Sequence, residues 1–330
     1  MRKLAALVLS MIIGMVLPCH ADDDDDEFID NDRPKVEKIK LFEHLDLGVS
    51  VGTLGINFDA EMPLNNTVKI RAGLSIMPKF TVPLHFNMMT YANGQVSESN
   101  FEKAKELLYE LAGFEVNRTV TMNCKPNLYS CNVLCDVYPF HKKHWRFTTG
   151  FFIGPRKVGT SINAMREMPT LVSTGVYNGM HDYVLETDFI ETPIHGDYYL
   201  DPDVADKLKA KFEEYGKMGI HVGDFVKDGK PYMMEPDNDG TVRAKALVDA
   251  FRPYVGFGYS GDLDKAKRLK LSFDCGAMIW GGHPKVITHE GVDLTRDVRD
   301  IAGRAGDYVK IIKKMKVYPM INLRISYRIF

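Results

Sequence analysis

The fold is decided by the last long stretch of the chain, Val317-Tyr318-Pro319-Met320-Ile321-Asn322-Leu323-Arg324-Ile325-Ser326-Tyr327-Arg328-Ile329. Its odd-numbered positions are apolar or aromatic, whereas its even-numbered positions include two arginines, an asparagine and a serine. Successive side chains of a β-strand point to opposite faces of the sheet. The stretch therefore predicts one long strand with an apolar face and a largely polar face.

The same alternation occurs in further stretches, near 44–52, 56–62, 68–76, 129–137, 145–153, 251–259 and 269–279. Gly52-Thr53-Leu54-Gly55 predicts a tight turn between the first two strands, which gives eight strands in all. One bent strand with a bulge is the alternative, and it would give seven. An even number places the short connections (63–66, 139–143 and 261–266) at one end and the long ones (80–127, 156–250 and 281–315) at the other.

Periodicity alone does not say whether the apolar face points inward or outward. A soluble β-sandwich or a lipocalin-like barrel would turn it inward. Aromatic residues near the strand ends favour a membrane barrel, because aromatic girdles are typical of membrane interfaces. These interface candidates are Tyr129, Tyr138, Trp145, Phe251, Tyr259, Trp280, Tyr318 and Tyr327. The predicted fold is all-β: a closed antiparallel transmembrane β-barrel of about eight strands with long, partly helical extracellular loops.

The N-terminus predicts export. Arg2 and Lys3 precede an apolar stretch at 4–17, so residues 1–21 are predicted to be a secretory signal peptide cleaved after Ala21. A lipoprotein signal acylated at Cys19 is the alternative, although Pro18 is unusual there. The acidic segment 22–40 is expected to be disordered, because its like charges repel. Residues 41–330 form the predicted barrel and loops, and the expected location is the outer membrane of a Gram-negative cell.

The inward positions of the predicted barrel carry many charged side chains. Eight strands leave only enough space for side chains to fill the interior, and buried charges must be paired. The sequence therefore predicts a network of ion pairs in the lumen, with an ion path or an acid–base pair of Asp59 and Glu61 as the alternatives. The residues are Asp46, Asp59, Glu61, Lys69, Arg71, Asp136, Arg146, Arg252, Arg268, Lys270, Asp274, Arg324 and Arg328.

The long connections contain helix signals. Ser99-Asn100-Phe101-Glu102 is a capping-box pattern followed by an apolar stripe that ends near Gly113. Asp201-Pro202 begins a second predicted helix that ends at Gly216, and a third extends loosely from Asp293 to Lys314. We expect these helices to pack the loops into a cap over the barrel mouth. Additional strands near 183–190 would enlarge the barrel.

No cofactor, metal site or catalytic constellation is predicted. Cys124, Cys131, Cys135 and Cys275 show no CxxC spacing, and Cys131 and Cys135 lie about 13 Å apart along one strand, too far to form a disulfide bond. The acidic run 235–240 resembles the start of an EF-hand loop, but position twelve of that loop is Ala246 rather than glutamate.

The ending Ile325-Ser326-Tyr327-Arg328-Ile329-Phe330 resembles the C-terminal assembly signal of outer-membrane barrels, an aromatic last residue after an alternating strand. Phe330 is out of phase with Tyr327, which departs from the usual form. Together with the strand pattern, it makes the chain similar to the outer-membrane protein A-like barrel family. No peptidoglycan-binding domain is visible. The resemblance implies outer-membrane lipid as surroundings and the barrel assembly machinery as a partner of the C-terminal strand.

Our leading functional hypothesis is a non-enzymatic outer-membrane barrel with a structural or surface-binding role, whose loops bind an extracellular protein or glycan. The net charge of −2 gives no reason to expect nucleic acid. One alternative is a lipid-modifying enzyme of the acyl-hydrolase type. It would need a serine and a histidine together at the outer rim, for example Ser75 or Ser161 with His85 or His283. A small channel or porin is the other alternative, and a filled lumen disfavours it.

Overall fold

A computed structural model of the chain describes residues 44–140, 144–186 and 201–329. The predicted signal peptide at 1–21, Cys19 within it, the acidic segment at 22–40 and Phe330 lie outside the described residues. The predictions for those segments therefore stay predictions, whereas the barrel and its connections can be compared with the structure.

The described residues form seventeen strands and four α-helices. The strands in chain order are β1 (Asp46–Gly52), β2 (Gly55–Pro63), β3 (Val68–Ile76), β4 (Val82–Ala92), β5 (Gln95–Ser97), β6 (Thr119–Pro126), β7 (Ser130–Val137), β8 (Trp145–Ile153), β9 (Lys157–Asn163), β10 (Lys217–Phe225), β11 (Pro231–Met234), β12 (Arg243–Leu247), β13 (Phe251–Asp262), β14 (Leu269–Ile279), β15 (Lys285–Thr288), β16 (Val298–Arg299) and β17 (Val317–Arg328). The helices are α1 (Glu98–Ala112), α2 (Met168–Glu186), α3 (Pro202–Tyr215) and α4 (Gly303–Lys314). None of these four helices is long and apolar enough to cross a membrane.

Eight strands close into a barrel in the order β1-β17-β14-β13-β8-β7-β3-β2, and every neighbouring pair is antiparallel. The predicted fold class is confirmed. Gly52 pairs with Gly55 across a two-residue turn, so β1 and β2 are a hairpin rather than one bulged strand. Gly55 has a φ of 92°, and a β-carbon there would lie 2.5 Å from the carbonyl oxygen of Ile76. Glycine is required at that turn.

The two ends of the barrel differ. We call the end that holds Asp46 and Arg328 the terminal end; its connections are the short ones at 64–67, 138–144 and 263–268. The other end carries the β1–β2 hairpin and the three long connections at 77–129, 154–250 and 280–316. We call these three connections together the cap domain. The long connections therefore all leave the barrel at the end opposite to the terminal end.

The barrel is apolar outside and polar inside. In β17, for example, Leu323 and Ile325 are exposed whereas Arg324 and Ser326 are buried. A belt of exposed apolar side chains surrounds the barrel: Leu47, Val49, Val51, Phe58, Leu74, Val133, Phe147, Val255, Phe257, Phe273, Ile321, Leu323 and Ile325. Monomeric soluble proteins rarely expose so large a continuous apolar surface. This inverted arrangement is typical of transmembrane barrels.

The cap domain contains a second sheet that the sequence analysis did not predict. Nine antiparallel strands form it, in the order β11-β10-β4-β6-β9-β12-β15, with β16 beside β10 and β5 beside β4. Leu84 and Met88 of β4 are buried with Phe101 of α1, Leu171 of α2 and Phe212 of α3 in one core. The cap domain is therefore an independent layer of sheet and helices above the barrel rather than a set of helical loops.

The predicted helices are found with shifted starts. α1 begins at Glu98 with Ser97 as its N-cap, because the Ser97 side chain accepts a hydrogen bond from the Asn100 backbone N–H, and Ser99 lies inside the helix. α3 begins after Asp201 and ends at Gly216, as predicted. In the third segment only Gly303–Lys314 is helical. Residues 183–186 belong to helix α2 rather than to a strand, and 187–190 lie outside the described residues.

Candidate functional site

Four charged side chains form a closed ring of ion pairs across the barrel lumen. The Arg71 guanidinium lies 3.3 Å from Asp136 Oδ1 and 3.1 Å from Asp274 Oδ2. The Arg146 guanidinium lies 2.6 Å from Asp274 Oδ1 and 3.7 Å from Asp136 Oδ1. All four side chains are buried, and their strands β3, β7, β8 and β14 span half of the barrel. Each carboxylate contacts both cations, and the two negative charges balance the two positive charges, so the buried ring is neutral.

A second group of ion pairs links this ring to the terminal end. Arg324 lies 2.5 Å from Asp59 and 2.8 Å from Glu61, and Lys69 lies 2.6 Å from Glu61. Asp46 then meets three cations: Lys69 at 3.7 Å, Lys270 at 3.4 Å and Arg328 at 3.3 Å. Asp59 and Glu61 share Arg324 as a counter-ion, so the structure places them in the ion network and not in a carboxylate acid–base pair.

Two inward-facing glycines make room for the arginines. A β-carbon at Gly48 would lie 2.5 Å from Nε of Arg324, and one at Gly258 would collide with Asp274 Oδ1 and approach Arg146 Nε to 3.0 Å. Side chains at these positions would displace the guanidinium groups from their carboxylates. Glycine at these two positions therefore allows the arginines of neighbouring strands to reach their carboxylates.

Two residues predicted for the network lie outside it. Arg268 is exposed in the turn that precedes β14, so its assignment to the lumen was wrong; the strand alternation had been extended one residue too far. Arg252 is buried, but its guanidinium donates to the backbone carbonyls of Asp249 at 2.8 Å and Pro155 at 2.6 Å. Arg252 therefore ties the rim of the barrel to the cap domain and pairs with no carboxylate of the ring.

At the cap end the lumen is closed by apolar side chains. They are Leu54, Leu134, Phe152, Tyr254, Met278 and Met320, and Trp280 stacks on Tyr318 beside them with ring centres 5.4 Å apart. Between this plug and the ion ring lies a cavity of about 20 Å³, lined by Asn57, Ser75 and Asn132 among others. That space holds about one water molecule. Little free space therefore remains between the plug and the ion ring.

We expect no ion conduction through this barrel. A continuous water path would have to cross both the ion ring and the apolar plug, and the lumen offers room for about one water. Purified protein in a planar lipid bilayer should therefore show only the leak current of the protein-free bilayer, whereas a porin reconstituted in the same way shows discrete current steps. Discrete openings from the unmodified chain would contradict a filled lumen.

Five of the eight predicted interface aromatics are exposed on the outside of the barrel. Trp145, Tyr259 and Tyr327 ring the terminal end, and Tyr129 and Phe251 lie at the cap end. The other three were wrongly placed: Tyr138 and Trp280 are each 6% exposed, and Tyr318 is half-buried. The Tyr138 ring lies under the Lys69 ammonium, with 5.5 Å between Nζ and the ring centre, at the terminal end of the barrel.

The cap domain encloses an apolar space of about 330 Å³, which we call the cap cavity. One wall is the sheet, with Leu84 and Met122, and the other wall is helix α4, with Val309 and Ile312. Its floor includes Leu128, Val158 and Trp280, which also pack into the plug of the barrel. The cap cavity therefore lies directly on the barrel rim. Cavities of roughly 300–1,000 Å³ with apolar walls are typical of sites for small ligands.

The serine–histidine pairs named for an acyl hydrolase are not assembled. Ser75 is inside the lumen and donates to Asn57 Oδ1 at 3.1 Å. Ser161 faces the cap cavity and accepts from Cys124 Sγ at 3.1 Å, and burial raises the pKa of that thiol. His85 is exposed on the opposite face of the sheet, with Nδ1 at 3.1 Å from Thr121 Oγ1, and His283 is exposed between β14 and β15.

A cluster of polar side chains joins the ends of β11 and β15, the two outer strands in the order of the cap sheet. Asn178 Nδ2 donates to Glu235 Oε2 at 3.3 Å, and the Glu235 backbone N–H donates to Glu290 Oε1 at 2.9 Å. Burial raises the pKa of Glu235; the Lys217 ammonium opposes that shift, and the carboxylates of Glu290 and Asp182 add to it. The folded cap domain therefore favours the protonated form of Glu235.

This raised pKa predicts that the cap domain loses stability as pH rises. The stabilisation is fully present below the ordinary glutamate pKa, where Glu235 is protonated in both the folded and the unfolded chain. It declines as pH rises through the raised pKa of Glu235 in the folded chain. Glu235→Gln should therefore be more stable than the unmodified chain at neutral pH and equal to it in acid, as measured by thermal unfolding. Glu213→Gln, on the exposed face of α3, is the control. Equal stability of Glu235→Gln and the unmodified chain at neutral pH would refute the assignment.

No protein-family model matches the sequence, and no curated protein matches it. Among solved structures, the chain is similar to CarO2 of Acinetobacter baumannii, with 11% identity, 86% of this chain and 98% of that chain covered, and a TM-score of 0.36. CarO of Acinetobacter baumannii gives 10% identity, 88% and 99% coverage and a TM-score of 0.36. A major outer membrane protein from Thermus thermophilus gives 7% identity, 86% and 98% coverage and a TM-score of 0.29. Likeness of this degree carries no argument about function.

Proposed function

We propose that the chain is a non-conducting outer-membrane β-barrel whose filled lumen anchors a folded, ligand-binding cap domain at the membrane surface. The observation that carries the proposal is the inversion of the barrel. Exposed apolar side chains cover its outside, while buried ion pairs fill its inside. In water this arrangement would expose the apolar belt, whereas in a bilayer the belt faces hydrocarbon.

The lumen chemistry supports an anchor. Ion pairs between strands that are distant in sequence, such as Arg324 with Asp59 and Arg71 with Asp274, cross-link the barrel wall. They leave about one water-sized space, so the barrel supports the cap domain without providing a path through the membrane. The cap domain then carries the binding function, since it holds a large apolar cavity between its sheet and helix α4.

The proposed surroundings follow from this arrangement. Outer-membrane lipid contacts the belt, the barrel assembly machinery meets strand β17, and the cap domain faces the cell exterior. A protein or glycan at the exposed surface of the cap domain belongs to the same proposal. The short connections at the terminal end would face the periplasm, because outer-membrane barrels have short periplasmic turns and longer external loops.

Thiol labelling of intact cells tests both the burial of the belt and the side on which the cap domain lies. Cys131 is exposed in the belt, and Cys124 in the cap domain is half-buried with a raised pKa, which slows its reaction. A charged, membrane-impermeant maleimide should therefore leave the unmodified chain unlabelled. Tyr109→Cys, on the exposed side of α1, should be labelled without breaking the cells.

Two outcomes would contradict the proposal. Labelling of Cys131 in native membranes, checked with Cys131→Ser as the matched control, would mean that the belt faces water. Labelling of Tyr109→Cys only after the outer membrane has been opened would place the cap domain in the periplasm.

A further inference from the structure

The cap cavity is an apolar space that the fold does not fill. Protein interiors are close-packed, and voids much larger than a water molecule are few. A void lined by residues such as Leu84, Met122, Val286 and Ile312 offers no hydrogen bonds to water, so its lining loses contacts unless something apolar occupies it. Its volume of about 330 Å³ suits a flexible hydrocarbon chain.

The opening of the cap cavity lies beside the barrel rim. Phe80, which follows the end of β3 by four residues, lines the cavity and is exposed, and so is Tyr308 of helix α4. Trp280 forms part of its floor and belongs to the plug of the barrel. Because the barrel rim marks the level of the membrane surface, the cavity opens where lipid chains and head groups meet.

The cations beside the cavity belong to helix α4. Lys125 and Lys245 lie on strands that line the cavity, but both pair with Thr160, the neighbour of the inward-facing Ser161, so their side chains point to the exposed face of the sheet. Helix α4, whose inner face forms one wall, exposes Lys310, Lys313 and Lys314 on its outer side against a single carboxylate, that of Asp307. Lysines next to a membrane attract anionic head groups. An occupant with an apolar chain and an anionic head matches both the walls of the cavity and the cations of helix α4.

We propose that the cap cavity binds one hydrocarbon chain of an anionic amphiphile, with the exposed lysines of helix α4 holding the head group. A phosphate-headed membrane lipid and a free fatty acid share this chemistry. The proposal rests on the proposed function only for the presence of lipid nearby. Binding in the cavity can be measured whichever membrane the barrel occupies, so the failure of one proposal is distinguishable from the failure of the other.

The test uses cis-parinaric acid, a fluorescent fatty acid that accepts energy from tryptophan. The full chain has two tryptophans, and Trp280 lines the cavity whereas Trp145 lies at the terminal end of the barrel. The experiment uses the Trp145→Phe variant in nanodiscs of neutral phosphatidylcholine. We expect saturable energy transfer from Trp280, with one parinarate bound per chain. The transfer should exceed the signal from nanodiscs without protein and from a variant that lacks Trp280. Absence of a saturable signal would overturn the proposal.

Variants on strand β9 locate the site. Ser161 faces the cavity, and the next residue, Ile162, points to the exposed face of the same sheet. Ser161→Phe should weaken parinarate binding by about tenfold or more, since the ring excludes at least two methylene groups from burial. Ile162→Phe should bind as the unmodified chain does.

A second filling variant covers the case in which Ser161→Phe fails to fold. A β-carbon at Gly159 would lie 3.6 Å from the Ala246 β-carbon, an ordinary contact, so Gly159→Leu places a side chain in the cavity without backbone strain. If a folded form of either variant binds parinarate as tightly as the unmodified chain does, the cap cavity is not the binding site.

Displacement identifies the head group. Dodecanoate or lysophosphatidylglycerol should displace parinarate, and the better competitor shows whether the source is a free fatty acid or a membrane phospholipid. Dodecyl maltoside, which has the same type of chain and an uncharged head, should compete about tenfold less well, since a partly desolvated charge pair contributes about 1.4 kcal/mol or more. The double variant Lys310→Gln, Lys313→Gln on helix α4 should abolish that preference, whereas Lys125→Gln, Lys245→Gln on the exposed face of the sheet should keep it. Equal competition by all three amphiphiles against the unmodified chain would overturn the anionic part of the proposal.

Discussion

Asp274→Ala is expected to lower the free energy of unfolding of the barrel by about 3–5 kcal/mol, because it leaves buried cations without their carboxylate. Asp274 accepts hydrogen bonds from Arg146 at 2.6 Å and from Arg71 at 3.1 Å, and all three side chains are buried. Without Asp274, both guanidinium groups have to share Asp136. Urea unfolding of the purified chain in detergent micelles, followed by the unheated gel band, measures the loss.

A surface carboxylate on the neighbouring strand provides the control. Asp262→Ala removes an exposed carboxylate at the end of β13 and should change stability by less than about 0.5 kcal/mol. The double variant Asp274→Ala, Arg146→Met should lose less stability than the sum of its single changes, because it removes a cation together with its partner. A change of less than about 0.5 kcal/mol for Asp274→Ala alone would mean that the ion ring does not stabilise the barrel.

Leu323→Arg is the second change with a large expected effect. Leu323 lies in the middle of β17, between Val51 of β1 and Phe273 of β14, and is 53% exposed on the outside of the barrel. In a bilayer the arginine would enter hydrocarbon, so we expect a loss of about 2–4 kcal/mol. Refolding into lipid vesicles at increasing urea concentration measures it.

Leu111→Arg is the matched control for that prediction. Leu111 is 48% exposed on helix α1 of the cap domain, so the same substitution there should change stability by less than about 0.5 kcal/mol. Both leucines are similarly exposed in the structure, and only their surroundings differ. Equal effects of the two substitutions would show that the belt of the barrel faces water rather than lipid.

The barrel strands could be predicted because their alternation is complete and their ends are marked by turns. The predicted range of β17 is within one residue of the observed range, and the predicted ranges of β8 and β14 match the observed ones at both ends. The alternation also indicates which aromatic residues point inward. Tyr318 on β17, and Tyr138 and Trp280 directly after β7 and β14, have even numbers, whereas the odd-numbered side chains of these strands point outward.

The cap sheet was missed because alternation does not distinguish a face that points toward lipid from one that points toward a helix. Strand β4 alternates as clearly as β17: Leu84 and Met88 are buried under helices, whereas His85 is exposed. Eight strands already satisfy the even number, so the pattern does not require any strand in the remaining segments. Helix α2 was missed because its hydrophobic residues do not form one stripe, and Gly175 and Gly179 interrupt its helical propensity.

The cap cavity had no counterpart in the sequence. Its walls come from strands β4, β6, β9, β12 and β15 and from helix α4, which are distant from one another along the chain. The residues of its wall, such as Ala244, Ser161 and Ala305, are small, and their small size becomes meaningful only when they face one another. The ion network, in contrast, could be predicted in outline, because charged residues on the inward face of a narrow barrel must pair.

The central claim is that the apolar face of the barrel contacts lipid, and its most direct test is to fractionate membranes of a Gram-negative host that expresses the full-length gene. We predict recovery in the outer-membrane fraction, with an unheated band on gels that migrates as a compact species and shifts after boiling. Release of the chain as a soluble periplasmic protein, with no such shift, would contradict the claim.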